Sequence, residues 1–101
     1  MPRARIKVDR ARIAAFCRRH HIRRLSFLGS VLRQDFGPES DVDVLVEFEP
    51  AHVPGLAFFE MERELSQILG RKVDLNTINF VSPQLSQQVQ AEAEVQYEQA
   101  G

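Results

Sequence analysis

The chain has 101 residues, of which 44% are hydrophobic and 27% are charged. This composition excludes an intrinsically disordered chain, and the length allows one domain, which we expect to span residues 1–101. No apolar stretch reaches the roughly 18 residues that would cross a membrane. Because the single cysteine, Cys17, cannot form an internal disulfide and no apolar signal segment follows the first residues, we expect a cytoplasmic protein.

The net charge of −1 conceals an uneven distribution of charge along the chain. Ten of the thirteen basic residues, but only one acidic residue, lie in the first 33 positions, which carry a net charge of +9. We interpret this block as a solvated face that lies against the acidic remainder of the protein. Nucleic-acid contact is the alternative, and it is disfavoured because no aromatic residues alternate with the arginines to stack on bases.

The first half of the chain is predicted to contain a helix followed by two strands. Asp9 is a suitable N-cap for a helix that ends near His20, and the apolar residues between them recur at helical spacing. A short strand is predicted at residues 25–28 and is stopped by Gly29. A second strand is predicted at residues 41–48.

The second half is predicted to contain a helix, a strand and a final helix. The apolar spacing between Gly55 and Gly70 indicates a helix, and residues 72–76 alternate as a strand should. A cap at Ser82 starts the last helix, from which we expect Tyr97 to bury its ring. The apolar stripe of this helix consists of Leu85, Val89 and Ala93.

The order of these elements predicts an α/β fold with a small mixed β-sheet and flanking helices. A helix joins the second and third strands, so we expect them to be parallel, whereas the first two strands can pair antiparallel. The Gly29 end of the first strand then lies beside the Asp41 end of the second, and Asp74 of the third strand comes to the same edge. Three separate segments are thereby predicted to meet at one site.

Three aspartates carry the predicted chemistry. Asp41 and Asp43 are two residues apart in a strand, so their carboxylates should project from one face, about 7 Å apart. Asp74 shares this polar face if its neighbours Val73 and Leu75 enter the core. Three carboxylates at one edge repel one another unless a cation lies among them, and their oxygens suit Mg²⁺ better than zinc. The pattern favours a metal site for phosphoryl transfer.

Gly29 and Ser30 stand where a strand meets a turn, so backbone N–H groups and a hydroxyl can approach a phosphate there. Arg33 could contact the same phosphate or an anionic group of a partner. Taken singly, a Gly-Ser pair is usually a turn and an Asp-x-Asp pair is usually a solvated strand end. The site is predicted from their combination.

The segment from Phe27 to Phe48 contains Gly29-Ser30, a ten-residue spacer and then Asp41-Val42-Asp43. This segment resembles the minimal nucleotidyltransferases of the DNA polymerase beta superfamily, and the residues around Asp74 are similar to the strand that bears that family's third carboxylate. The resemblance covers nearly the whole chain. It is strongest for the antitoxins encoded beside HEPN-domain ribonuclease toxins in MntA/HepT-type pairs.

This resemblance implies a minimal nucleotidyltransferase fold and an antitoxin that uses Mg²⁺ to transfer AMP from ATP to a tyrosine of its toxin. It implies that Asp41 and Asp43 are metal ligands and that Asp74 is a third ligand or a base. The residues expected to bind the nucleotide are Gly29, Ser30, Arg33 and Ser40. We expect a hetero-oligomer with the HEPN-type toxin, because a chain of this size needs its partner to supply part of the binding surface. The alternative is a non-catalytic antitoxin that silences its toxin by occlusion and needs none of these residues.

Overall fold

The computed structural model describes residues 8–29, 41–77 and 93–99. Their elements are α1 (Arg10–Arg19), β1 (Ile22–Leu28), β2 (Val42–Phe48), α2 (Ala57–Leu69), β3 (Val73–Thr77) and β4 (Glu94–Glu98). The strands form one mixed sheet in the order β3-β2-β1-β4, in which β1 is antiparallel to both neighbours and β2 is parallel to β3. The predicted mixed sheet with flanking helices is confirmed, and so are the directions of the three predicted strands. Neither α1 nor α2 is long and apolar enough to cross a membrane.

The first helix begins and ends as predicted. The side chain of Asp9 accepts a hydrogen bond from the Arg12 N–H at 3.2 Å, and the helix ends at His20. His21 then adopts a left-handed conformation with φ +58°, which histidine tolerates better than most residues, and its ring stacks on that of His52 with centroids 3.8 Å apart. The chain therefore passes from α1 into β1 in two residues.

β1 starts three residues earlier than predicted, because a β-bulge interrupts its alternation. Its pairing with β2 shifts between Ile22 and Arg24, so Arg23 is an extra residue. The bulge allows both Ile22 and Leu25 to enter the core although they are three positions apart. Arg23 and Arg24 remain outside the core and form ion pairs with Glu47 of β2.

The core lies between the two helices and one face of the sheet. α1 packs on β1 and β4, and α2 packs on β3. The buried side chains of this layer are Ile13, Phe16, Cys17, Ile22, Leu25, Phe27, Val42, Val44, Val46, Phe48, Met61, Leu65, Leu69, Val73 and Leu75. Because side chains alternate along a strand, the residues between these core positions in β2 and β3 face the opposite side of the sheet. That side carries the aspartates.

The prediction of a final helix is wrong at its end. Its proposed cap and part of its stripe lie outside the described residues: Ser82, Leu85 and Val89. Glu94–Glu98, however, form β4, and Ala93 precedes this strand. Tyr97 lies opposite Leu25 of β1 and packs against the core from a strand, not from a helix. Pairing with β1 therefore outweighs the local helix propensity of the glutamate and glutamine residues.

Candidate functional site

Asp43 and Asp74 lie side by side on the face of the sheet opposite the helices. The parallel register of β2 and β3 pairs Asp43 directly with Asp74, at the strand separation of about 4.8 Å. Val73 and Leu75 are buried, while Asp74 between them is exposed. The predicted placement of Asp74 on the polar face is thus confirmed. Two carboxylates on adjacent strands form a negatively charged pair that a cation would stabilise.

Asp41 lies two residues before Asp43, directly ahead of β2, and is exposed. Within residues 8–29, 41–77 and 93–99, no group of three or more Asp, Glu, His or Cys side chains is arranged closely enough to hold a metal ion. Mg²⁺, however, is usually bound by one or two carboxylates together with substrate phosphates and water, not by a complete protein cage. The pair formed by Asp43 and Asp74 fits an ion that arrives with a phosphate-bearing ligand.

Gly29 ends β1 directly against the carboxylate of Asp43. Leu28 is paired with Asp43 in the sheet, and Gly29 follows with φ +68°, in the left-handed region. A Cβ atom at Gly29 would lie 2.6 Å from Oδ2 of Asp43, which is closer than real Cβ contacts allow. The backbone conformation therefore favours glycine, and any larger residue here would also displace the Asp43 carboxylate. The predicted meeting of the Gly29 turn with the start of the second strand is confirmed at Asp43.

The other residues predicted to bind a nucleotide lie outside the described ranges. Ser30, Arg33 and Ser40 belong to the segment 30–40, for which the structure gives no description. Their roles stay predictions from the sequence. The described part of the site consists of Gly29 and the aspartates.

Glu62 and Ser66 of α2 contact the strand that carries Asp74, and the sequence pattern did not indicate either residue. The Val73 N–H donates to Oγ of Ser66 at 3.1 Å, and the Leu75 N–H donates to a carboxylate oxygen of Glu62 at 2.8 Å. The helical pattern is compatible with either Met61 or Glu62 as a core position, and the structure buries Met61. The four-residue spacing of Glu62 and Ser66 was the one available signal, and it places them on one helix face without indicating which strand they contact.

The titrating groups of α1 lie on the other side of the sheet from the aspartates. Burial raises the pKa of the Cys17 thiol to about 12, and Arg18 offsets this only in part. Burial also lowers the pKa of His20, with smaller contributions from Arg19 and His21. Neutral His20 can still donate its Nε2–H to Glu64, whose oxygen lies 2.9 Å away. A buried neutral thiol is a poor nucleophile, so Cys17 is a core residue, as predicted.

Residues 10–96 match the family model of the nucleotidyltransferase domain. The match extends from the first residue of α1 into β4 and includes Gly29 and all three aspartates.

Two archaeal proteins illustrate the similarity in sequence. A candidate protein adenylyltransferase of Methanocaldococcus jannaschii is 35% identical over 75 residues, which cover 74% of this chain and 80% of the relative. The protein adenylyltransferase MntA of Thermococcus cleftensis is 41% identical over 58 residues, which cover 56% of this chain and 57% of the relative. The chain thus spans little more than half the length of the second relative.

Solved structures share the fold. A candidate minimal nucleotidyltransferase superimposes with a TM-score of 0.70 and 33% identity, covering 83% of this chain and 85% of that chain. A chain from the complex of the tri-AMPylated HEPN toxin of Shewanella oneidensis with an MNT antitoxin gives a TM-score of 0.65 at 22% identity, covering 89% and 70%. The second similarity concerns the fold alone.

Proposed function

The chain belongs to the nucleotidyltransferase domain family, and from this premise we propose that it transfers AMP from ATP to a HEPN-type toxin and thereby neutralises it. The observation that carries the proposal is the approach of the Gly29 backbone to Asp43, which is itself paired with Asp74. A glycine turn that opens onto paired carboxylates suits a phosphate chain with its cation. Relatives named protein adenylyltransferases and the fold shared with a complex of an AMPylated toxin support the choice of reaction and partner.

Asp43 and Asp74 would hold Mg²⁺ together with the phosphates of ATP, and Asp41 would add a ligand from the start of β2. When bound, the ion supplies the charge neutralisation that phosphoryl transfer needs. The Gly29 N–H would donate to a phosphate oxygen, as would the Ser30 hydroxyl. We expect Arg33 and Ser40 to contact the same nucleotide.

The reaction also requires a group that accepts the proton of the attacking hydroxyl. A hydroxyl of the toxin attacks the α-phosphorus of ATP, the new oxygen–phosphorus bond forms, and the bond to pyrophosphate breaks. In the alternative role of a base instead of a metal ligand, Asp74 would accept the proton that the hydroxyl loses, since its side chain is exposed. In that case the toxin hydroxyl would have to reach Asp74 at the exposed part of β3. The cytoplasm supplies ATP and keeps Cys17 reduced, and we place the reaction there.

The test separates catalysis from occlusion. In the double variant Asp41→Asn and Asp43→Asn, size and shape are retained but two ligand charges are lost, so the variant should fold, bind the toxin and transfer no AMP. The matched control is Glu60→Gln with Glu98→Gln, which removes two exposed carboxylates away from the aspartates. Toxin mass and ribonuclease activity are measured in the same samples.

We expect the control to add AMP and silence the toxin, and the aspartate variant to leave the toxin unmodified and active. Full neutralisation by the aspartate variant without any change in toxin mass would refute the enzymatic proposal and establish occlusion.

A further inference from the structure

The strand that carries Asp74 lies at the edge of the described sheet. Within the described residues β3 pairs with β2 alone. In a parallel pair, alternate residues direct their backbone groups toward the neighbouring strand. The backbone N–H and C=O groups of Asp74 point toward β2. The N–H groups of Val73 and Leu75 therefore point away from β2, toward the edge of the sheet. An edge of this kind usually has only solvent as a partner.

Here both of those N–H groups are bound by side chains of α2. The Val73 N–H donates to the hydroxyl of Ser66 at 3.1 Å, and the Leu75 N–H donates to the carboxylate of Glu62 at 2.8 Å. The two bonds lie on either side of Asp74 along the strand. The Asp74 segment is therefore held from the β2 side by the sheet and from the opposite side by the helix.

The two side chains act from one rigid turn of α2. Ser66 follows Glu62 by four residues, and its hydroxyl donates to the Glu62 carbonyl at 2.9 Å while accepting from Val73. Both side chains are half-buried. The neighbouring residues Met61 and Leu65 are anchored in the core, so this turn cannot move without disturbing the packing.

We propose that Glu62 and Ser66 are positioning residues for Asp74, which keep its carboxylate opposite Asp43 when a nucleotide and its cation bind. This inference rests on the proposed function. A strand held on one side only would let Asp74 move away from Asp43, because the two carboxylates repel each other. A bond from the backbone N–H to an ionised carboxylate is stronger than one to a neutral acceptor, so Glu62 carries the larger share.

The test compares variants of two half-buried glutamates in α2. Glu62→Ala removes the bond to β3, and Glu62→Gln keeps an oxygen acceptor at the same reach. Glu64→Ala is the matched control, because Glu64 binds Arg19 of α1 and the adjacent His20 and, in the part of the chain that the structure describes, forms no hydrogen bond with β3. We expect Glu62→Ala to lower kcat for AMP transfer about 10- to 100-fold with little change in the KM for ATP. Glu62→Gln should restore most of that loss, and Glu64→Ala should leave kcat at the wild-type value.

A double-mutant cycle shows whether the effect passes through Asp74. In a chain that already carries Asp74→Asn, adding Glu62→Ala should cause no further loss of kcat, because the residue it positions has lost its function. Multiplicative losses would overturn the proposal, and so would an equal loss in Glu64→Ala. Ser66→Ala gives the same comparison if Glu62→Ala does not fold.

A measurement without substrate keeps this inference distinct from the proposed function. Glu62→Ala should accelerate hydrogen exchange of the Leu75 amide and lower the NMR order parameter of the Asp74 amide, while Glu64→Ala should change neither. If the wild-type protein transfers no AMP, the proposed function fails, and these two amides still decide whether Glu62 positions the strand. Unchanged values at both amides would refute the positioning role.

Discussion

Gly29 and Gly70 offer a matched pair of substitutions, because they share a positive φ angle but not their surroundings. Their φ angles are +68° and +67°. A Cβ atom at Gly29 would lie 2.6 Å from Oδ2 of Asp43, whereas a Cβ atom at Gly70 would meet nothing within 4 Å. Replacing either with alanine places a side chain in the left-handed region and so strains the backbone at both positions. Only the replacement at Gly29 displaces a carboxylate.

The size of each effect follows from these contacts. The left-handed conformation should destabilise both alanine variants by about 1–2 kcal/mol, and each kcal/mol lowers the Tm of a domain of this length by roughly 4–8 °C. Because the atom in the way at Gly29 is the end of a side chain, Asp43 can relieve the clash by turning aside. To reach an ordinary contact of 3.4 Å from 2.6 Å, its oxygen must move by about 0.8 Å. A displacement of about 1 Å at a reacting group can lower the rate about 100-fold.

The assay combines thermal unfolding with the rate of AMP transfer to the toxin, followed by mass spectrometry. We expect similar losses in Tm for Gly29→Ala and Gly70→Ala, together with a rate about 100-fold below wild type for Gly29→Ala alone. Equal transfer rates in the two variants would show that the position of Asp43 does not matter for the reaction. The assignment of this carboxylate to the active site would then be wrong.

Three further predictions concern ligands and pH. ATP and Mg²⁺ together should raise the Tm by more than the sum of their separate effects, because the phosphates complete the coordination that the aspartates begin; additive shifts would contradict a shared site. Since the pKa of Cys17 is raised to about 12 from 9.0, native protein should resist alkylation at pH 8, and its stability relative to Cys17→Ala should fall as the pH rises from 9.0 toward 12. Rapid native alkylation would exclude a buried thiol. Since the pKa of His20 is lowered, the protein should lose stability as the pH falls below 6.5, and His20→Gln should flatten that part of a urea-unfolding pH series. An equal slope in both proteins would assign the loss to another group.

Sequence patterns predicted those parts of the fold in which local and tertiary preferences agree. Asp9 is a cap in sequence and in structure, and Val73 and Leu75 alternate with Asp74 as a half-buried strand requires. β4 could not be predicted in this way, because its stability comes from pairing with β1. Nε of Arg24 donates to a carboxylate oxygen of Glu98 at 2.8 Å across the sheet, and no local sequence pattern near Glu98 predicts this contact.

The residues of the site show the same difference between local signals and tertiary contacts. The Gly29 end of the first strand, the Asp41 end of the second and Asp74 are predicted to converge because the directions of three strands follow from their connections. The register places Gly29, Asp43 and Asp74 together. Glu62 and Ser66 were missed because their partners are backbone N–H groups, which carry no sequence signal. Only the packing of α2 on β3 shows that these N–H groups are within reach.

The short passage from α1 to β1 restricts how the length of this domain can vary. Only His20 and His21 separate the two elements, and β1 is paired on both sides. One inserted residue would either disrupt the left-handed turn or slip the strand by one position, which would turn Leu25 out of the core and carry Gly29 away from its aspartate. In the connection from β2 to α2, Glu49 and His52 contact His21 of this turn, whereas residues 53–56 are largely exposed and lie beyond those contacts. We therefore expect insertions and deletions to be tolerated at residues 53–56, while the junction of α1 and β1 keeps a constant length.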